Sequence, residues 1–251
     1  MALGRAKLAM AQGVSVWVLE APGGFGDAHF HAHHAIQITL SLEGSLALST
    51  EARTLAGPAI AVAADARHRF EADGLMVFVF VEPESRPGRA LAEALFRDRD
   101  LVALDSAALL PAVAPLAATF GESLAREALR EAGARVVEAL APAESVPLPD
   151  ARVRRIIDYA VAHLDGPLSL NGAAHGVHLS PSRLRHLFVE QTGLPFKTYV
   201  LWLRLVRALD VYSSGGSLTE AAHAAGFSDS AHFSRIFKRT FGLPATTLAR
   251  L

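Results

Sequence analysis

From Val14 to Val81 apolar residues come in short runs, several of them alternating with polar residues, and each run ends at turn-forming residues. The runs are Val14–Leu19, Ala35–Leu42, Ser45–Ser49, Ala59–Ala63 and Leu75–Val81. The breaks are Pro22-Gly23-Gly24, Glu43-Gly44, Gly57-Pro58 and Asp73-Gly74. Evenly spaced short strands with such turns predict a β-sandwich or small barrel. From Gly88 to about Leu140 the pattern changes to Ala, Leu, Arg and Glu at helical spacing, which predicts a few helices. Ala141–Pro149 holds prolines at 142, 147 and 149 and reads as a linker. Helix signals then continue to Leu251.

The last hundred residues contain an internal repeat. Leu184-Arg185-His186-Leu187-Phe188 followed by Gly193-Leu194-Pro195 returns 49 positions later as Phe233-Ser234-Arg235-Ile236-Phe237 followed by Gly242-Leu243-Pro244. Each copy follows a shorter Ala-rich segment, Leu170–His175 or Leu218–Ala225, with a turn at Gly176 or Gly226. Ser180 with Pro181 is a good helix start, and Ser217 with Glu220 is a capping box. Gly193 and Gly242 are stops, each with a proline two residues on. A short helix, a glycine turn and a second helix make a helix-turn-helix.

On the second helix of the first copy, Leu184, Leu187 and Phe188 share an inward side. Ser182, Arg185 and His186 share another at i, i+3, i+4 spacing. Such a row suits the edges of base pairs, Arg toward guanine above all, although any surface helix carries a polar face. The corresponding residues in the second copy are Ala231, Ser234 and Arg235, with Ser230 one step earlier. Between the copies, Pro195–Ser213 reads as one helix roughly 28 Å long, against the ~34 Å between successive major-groove faces. Trp202, Leu205 and Leu209 are its expected buried seam.

Charge sharpens this picture. Residues 151–251 carry 12 Lys/Arg and 6 Asp/Glu, whereas residues 1–150 carry 12 and 19. A basic C-terminal part beside an acidic remainder is what polyanion binding at one end requires, although ordinary fluctuation can also produce it. The 251 residues contain no Cys, which removes disulfides, thiol nucleophiles and thiolate metal sites. Arg5 and Lys7 interrupt Met1–Met10 before an apolar run develops, and no later run is long enough to span a bilayer, so a cytoplasmic location without membrane association is expected.

Residues Arg152–Leu251 resemble the DNA-binding domain of the AraC/XylS regulator family. The resemblance rests on Pro167-Leu168-Ser169-Leu170, Leu179-Ser180-Pro181-Ser182, Leu187-Phe188, Thr192-Gly193, Arg204-Leu205 and Arg207-Ala208. It continues through Ala221-Ala222, Gly226-Phe227-Ser228-Asp229, His232-Phe233-Ser234-Arg235, Phe237-Lys238 and Phe241-Gly242. It implies that Ser182, Arg185, His186, Ser230, Ala231, Ser234 and Arg235 read bases. Ser180, Arg183 and Lys238 complete the candidate DNA-binding set. Asn171-Gly172 departs from the family pattern, and its glycine should weaken the first helix by up to ~1 kcal/mol.

The remaining chemistry is histidine. His29, His31, His33 and His34 crowd six positions, and His68 follows. On an extended strand His31 and His33 point to the same side, a good start for a metal site if a third ligand approaches. His31-x-His33, Gln37 and Gly44 resemble the first cupin motif, with Gln37 where that motif has glutamate; His68 falls where the second motif supplies its histidine. Cupin-like barrels are also common sensors in AraC-type regulators, so the two resemblances agree. With a neutral Gln in place of a carboxylate, an effector pocket formed by His31, His33, Gln37 and His68 is the preferred reading, and a divalent metal is the alternative.

The expectation is therefore an α+β two-domain protein, an N-terminal cupin-like β-barrel with following helices and a C-terminal all-α tandem helix-turn-helix. Residues 1–87 would be the sensor, 88–140 a helical dimerisation segment, 141–150 the linker and 151–251 the DNA-binding domain. The function expected is sequence-specific transcription regulation, as activator or repressor, by a non-enzymatic homodimer. Its partners would be double-stranded DNA and a small-molecule effector, with RNA polymerase a further candidate. The competing reading is a metal-dependent cupin enzyme with a DNA-binding appendage, His31, His33 and His68 holding the ion.

Overall fold

The computed structural model describes residues 5–11, 13–25, 29–120, 124–141, 146–175 and 177–245. The chain divides into two compact units, Met1–Val146 together with Ser234–Leu251, and Pro147–Phe233.

The first unit is built on one antiparallel seven-stranded sheet, formed by β1 (Arg5–Ala11), β2 (Val14–Ala21), β3 (Ile36–Thr50), β4 (Thr54–Ala56), β5 (Ala59–Val62), β6 (His68–Val81) and β7 (Leu101–Ala103). The order is β1-β2-β6-β3-β5-β7, with β4 paired to β3. Three helices accompany it: α1 (Arg86–Leu95), α2 (Ser106–Thr119) and α3 (Arg126–Leu140). Ser85 caps α1 by accepting from Gly88 N, and Asp105 caps α2 by accepting from Ala107 N.

Strand alternation sorts the side chains. Val16 and Val18, Ile36, Ile38 and Leu40, and Leu75, Val77, Val79 and Val81 pack with Leu109, Val113 and Leu116 of α2 and Leu129, Ala132 and Val136 of α3. The intervening positions Trp17, Gln37, Thr39, Phe78 and Phe80 point to the opposite side and are also buried. Both sides of these strands are dry, which is why Leu75–Val81 reads as a continuous apolar run.

Two of the expected turns are not turns. Glu43-Gly44 and Asp73-Gly74 lie inside β3 and β6, which pair from Ile36↔Val81 to Thr50↔His68 with a register shift between Ser41 and Glu43. Gly44 and Gly74 face each other across the pair, with φ of +86° and +100°. A Cβ on Gly44 would stand 1.9 Å from the Asp73 carbonyl oxygen, so both strands bend through a point that admits only hydrogen. A glycine that bends two paired strands has the same local pattern as one that reverses the chain. β1, with Arg5 and Lys7 at a sheet edge, and β7, inside the stretch read as helical, were likewise not anticipated.

The second unit contains α4 (Ala151–Ala162), α5 (Leu170–Ala173), α6 (Pro181–Thr192), α7 (Phe196–Ser213), α8 (Leu218–Ala224) and the start of α9 (Ser230–Phe241). The boundary after Phe233 falls inside α9, where the sequence shows no break. Ser180 accepts from Arg183 N to start α6, and Gly193 ends it in the left-handed region at φ +78°. Ser217 and Glu220 form the capping box of α8. α5 spans only four residues, as its Asn171-Gly172 leads one to expect. Of the two expected helix-turn-helix turns, Gly226 lies at φ +74° and Gly176 falls outside the described residues, as does Pro142 of the linker. Trp202, Leu205 and Leu209 are the buried side of α7. No described helix is long and apolar enough to cross a membrane.

The glycine pair gives a direct test. Gly44→Ala should lower unfolding stability by on the order of 3 kcal/mol, since backbone strain and the clash with Asp73 add. Gly23→Ala, also at positive φ but with nothing within 4 Å of its Cβ, should cost about 1 kcal/mol. Urea denaturation of the two variants checks the difference; equal losses would contradict the paired bend.

Candidate functional site

The first unit brings His31, His33, Gln37 and His68 together. His31 forms a β-bridge with His68 through reciprocal backbone hydrogen bonds of 2.9 Å. Gln37 enters from β3. The imidazoles are 5%, 3% and 0% exposed, and each offers a ring nitrogen within 4.8 Å of those of the other two. The cupin resemblance implied this grouping; strand pattern alone could not show it, because His31 and His68 meet through the sheet. His29 is not part of the cluster; its carbonyl accepts from His31 Nδ1.

All three rings are tied in the same way. Nδ1 of His31, His33 and His68 donates to the carbonyl oxygens of His29 (2.8 Å), Ala35 (2.9 Å) and Ala66 (2.8 Å). A carbonyl can only accept, so in a neutral ring the Nε2 lone pair is left facing inward. Burial keeps the rings neutral. It is the main reason His31 is held down at about 4, with the closeness of His33, a second ring that could take a proton, adding to it. Burial likewise lowers His33 and His68, the latter well below the ordinary value. Gln37 Oε1 lies 2.9 Å from His33 Nε2 and 3.3 Å from His68 Nε2, and its amide nitrogen is 2.8 Å from Thr39 Oγ1.

An aromatic wall adjoins the histidines. The Phe80 ring lies 5.2 Å from His33 and 4.6 Å from Trp17, and Phe70 packs edge-on to Phe78. From the C-terminal segment of the same unit, Phe241 stands 5.7 Å from His33 and 4.7 Å from Trp17. A Cβ on Gly242 would meet His31 Nδ1 at 2.5 Å. Trp17 Nε1 is buried without a hydrogen-bond partner among the described residues, an indole donor left over beside the cluster.

His34, one residue beyond, behaves oppositely, and sequence reasoning gave it no role. Its Nε2 donates to Glu84 at 3.0 Å and its Nδ1 to Asp65 at 3.4 Å, with the His34 and Glu84 side chains 2% and 6% exposed. Burial works against the charged ring, but these two hydrogen bonds and the carboxylate charges outweigh it and raise His34 to about 9. This buried ion pair ties the start of β3 to the turn after β6. Glu84 is 50 residues away in sequence, so no local signal could reveal it.

In the helical unit Ser182, Arg183, Arg185 and His186 are exposed on α6, while Leu184 and Phe188 are buried. Ser180 is exposed but serves as the cap. Phe188 packs edge-on against Phe196 and Tyr199, both at 5.4 Å, so the polar row rides on a rigid helix. On α9, Ala231, Arg235 and Lys238 are exposed and Ser230 and Ser234 half-buried; Asp229 Oδ1 accepts from His232 N at 2.6 Å to start the helix. Phe233 is buried against Phe227, with ring centroids 5.5 Å apart. Arg204, quoted above only for its resemblance, has a structural task. Its guanidinium donates to the carbonyls of Leu164 (3.1 Å) and Gly166 (2.7 Å) and lies against Gly226.

These features define a class: a two-domain α+β protein with a buried cluster of histidines and aromatics on an antiparallel sheet and a helical helix-turn-helix region. Residues 173–250 match the model of a helix-turn-helix domain. The curated proteins similar to this chain carry the names of transcription regulators. The uncharacterized regulator YpdC of Escherichia coli K12 is 31% identical over 110 residues, 43% of this chain and 39% of that protein. RhaS, a transcriptional activator of Escherichia fergusonii, is 36% identical over 94 residues (37% and 34%). The arabinose operon regulatory protein of E. coli K12 is 33% identical over 125 residues (49% and 42%). The matches thus span less than half of each relative. These relatives are transcription regulators rather than enzymes. In fold the chain is similar to ToxT from Vibrio cholerae O395, with a TM-score of 0.57, 11% identity and 100% coverage of both chains. It is similar too to ToxT of strain SCE256 bound to an unsaturated fatty acid, with a TM-score of 0.54, 14% identity and coverage of 97% and 95%.

The His34 pair makes stability fall with alkali. A raised pKa means that the folded state holds a proton the unfolded chain releases. The stabilisation is complete below pH 6.5 and is lost as pH rises toward about 9. His31 has the opposite sign, so its contribution is lost as pH falls from 6.5 toward 4. Chelator-treated protein should therefore be most stable near pH 6.5. Glu84→Gln should remove on the order of 2–3 kcal/mol at that pH and flatten the alkaline limb. Thermal melts across pH decide it; an unchanged alkaline limb would contradict the pair.

Proposed function

We propose that this chain is a ligand-responsive, sequence-specific DNA-binding transcription regulator. One observation carries the reading: an AraC-type helix-turn-helix whose polar row Ser182, Arg185 and His186 is exposed on α6 above a buried Leu184–Phe188 seam. That row, with Ser180, Arg183, Ser230, Ala231, Ser234, Arg235 and Lys238, is the DNA-contacting set. Arg185 and Arg235 address base edges, and Ser180, Arg183 and Lys238 address phosphates. The net basic charge of residues 151–251 adds the sequence-independent part of the affinity.

The sensing half rests on the pocket: neutral buried imidazoles, a leftover indole donor and an aromatic wall suit a small ligand better than they suit a plain core. The fatty-acid complex of ToxT supports sensing in a protein of similar fold. Phe241 belongs to α9, which also carries Ser234 and Arg235, so pocket and helix end share one compact unit. The protein works in the cytoplasm, where its operator lies, with RNA polymerase as the further partner of an activator.

Selection of duplexes from a random pool, followed by competition binding, tests the DNA assignment. Arg185→Ala and Arg235→Ala should each cost about 1–3 kcal/mol on the selected site while binding to unrelated duplex changes less. Unchanged base preference in both variants would sink the assignment.

A second expectation concerns assembly. The helices of residues 88–140 pair two copies of the chain, giving a homodimer suited to paired half-sites. Sedimentation at micromolar concentration should show the dimer; a monomer both with and without DNA would overturn it.

A further inference from the structure

The 49-residue repeat places equivalent residues in unlike surroundings. In the first copy Phe188 of α6 is buried 5.4 Å from both Phe196 and Tyr199 of α7, inside the helical unit. Its counterpart in the second copy is Phe237 of α9, also buried, which lies over the Trp17 indole of β2 at 6.3 Å and an interplanar angle of 13°. Where α6 ends on Thr192, α9 ends on Phe241, whose ring is 4.7 Å from Trp17 and 5.7 Å from Phe80. Leu243 and Ala245 beyond it are buried as well. Phe233, near the start of α9, is buried against Phe227 of the helical unit. One helix thus begins in the helical unit and, from Ser234 onward, belongs to the sheet unit.

The docking is close in shape and incomplete in chemistry. Gly242, at φ +72°, brings the chain so near that a Cβ would stand 2.5 Å from His31 Nδ1 and 2.9 Å from the His29 carbonyl oxygen. Yet Trp17 Nε1 is buried with no partner among the described residues, a donor that water would satisfy if the helix end moved off. On the same helix Arg235, Lys238 and Arg239 are exposed. The cationic side chains therefore face outward while the apolar side is held by the sheet. A tandem helix-turn-helix seats both of its second helices on one duplex, which asks that α9 be placed by the unit that carries α6. Held by the sheet from Ser234 onward, α9 is not free to be placed in that way.

We infer that the end of α9, Phe237 to Gly242, is a latch on the Trp17–Phe80 side of the sheet, and that full DNA binding requires it to open. The inference rests on the regulator reading above and adds to it a restraint internal to the chain. The apparent dissociation constant for a duplex is then the intrinsic one divided by the fraction of molecules whose α9 has come away. Whatever weakens the latch raises that fraction and tightens binding. Phe241 is the place to weaken it, because its ring is buried against Trp17 and Phe80 whereas Arg235 and Lys238 are exposed.

The test uses the full chain and the duplex that the unaltered chain selects from a random pool. The sequence holds two tryptophans, so Trp202→Phe leaves Trp17 as the sole one. In that variant saturating duplex should move the Trp17 emission to the red and increase its quenching by acrylamide, as the indole gains water. Separately, Phe241→Ala in the otherwise unaltered chain should tighten binding to the selected duplex by at least roughly threefold. Circular dichroism identifies any variant that has not folded, and either arm decides if the other variant does not fold. Trp17 emission unmoved by saturating duplex would overturn the latch, and so would Phe241→Ala binding that is unchanged or weaker. A selected duplex whose base preference is lost in Arg185→Ala, together with unmoved Trp17 emission, defeats this inference alone. A chain that selects no duplex defeats the regulator reading and the latch with it.

Discussion

Everything in the first unit follows from a sheet that is dry on both sides. A strand side chain alternates sides at every residue, so each strand must satisfy two different environments at once. The even–odd division of Leu75–Val81 does this, with Leu75, Val77, Val79 and Val81 against α2 and α3 and Phe78 and Phe80 on the other side. α2 and α3 cover only one side. The other is filled by large aromatics and by histidines, whose polar edges must then find partners inside the protein. Gly44 and Gly74 belong to the same constraint, since without a paired bend β3 and β6 could not stay hydrogen-bonded from end to end.

Burying His31, His33, His34, Gln37, Thr39, His68 and Glu84 in so small a region obliges the fold to resolve each one. His34 is resolved by charge: two carboxylates hold both ring protons, and the pair locks strand to turn. His31, His33 and His68 are resolved only halfway, by carbonyls that fix one nitrogen and leave the other facing its neighbours. Histidines one residue apart thus carry opposite protonation, because His33 points to the aromatic side with a neutral amide and His34 points away from it to Glu84. Each of the three rings thus has one nitrogen fixed by a carbonyl and turns the other toward a common centre beside Gln37.

The helical unit solves a different problem, that of holding exposed polar rows rigidly. Its helices are short, so caps and aromatic wedges replace length as the source of order. Ser180, Ser217 with Glu220, and Asp229 satisfy helix starts. Phe188 and Phe233 fix the inward sides, and Arg204 ties α7 to the segment after α4 by donating to the carbonyls of Leu164 and Gly166. With these contacts inside, Arg185 and His186 are free to face outward.

Local chemistry was legible from the chain alone. Helix caps, glycine stops, the 49-residue repeat and the alternation of strands depend on residues within a turn or two of each other, so the sequence carries them whole. The pairing of His31 with His33 on one side of the chain belongs here too, being a matter of period two. What joined them was decided by tertiary structure. His68 reaches the pair through a β-bridge, Glu84 reaches His34 across 50 residues, and Gly44 meets Gly74 only because β3 lies beside β6. β1 and β7 are strands because neighbours supply hydrogen bonds to segments whose own patterns are weak. Tautomer, protonation and the bend of a strand are all settled by partners distant in sequence, and a single chain read in order does not show which of its distant residues will meet.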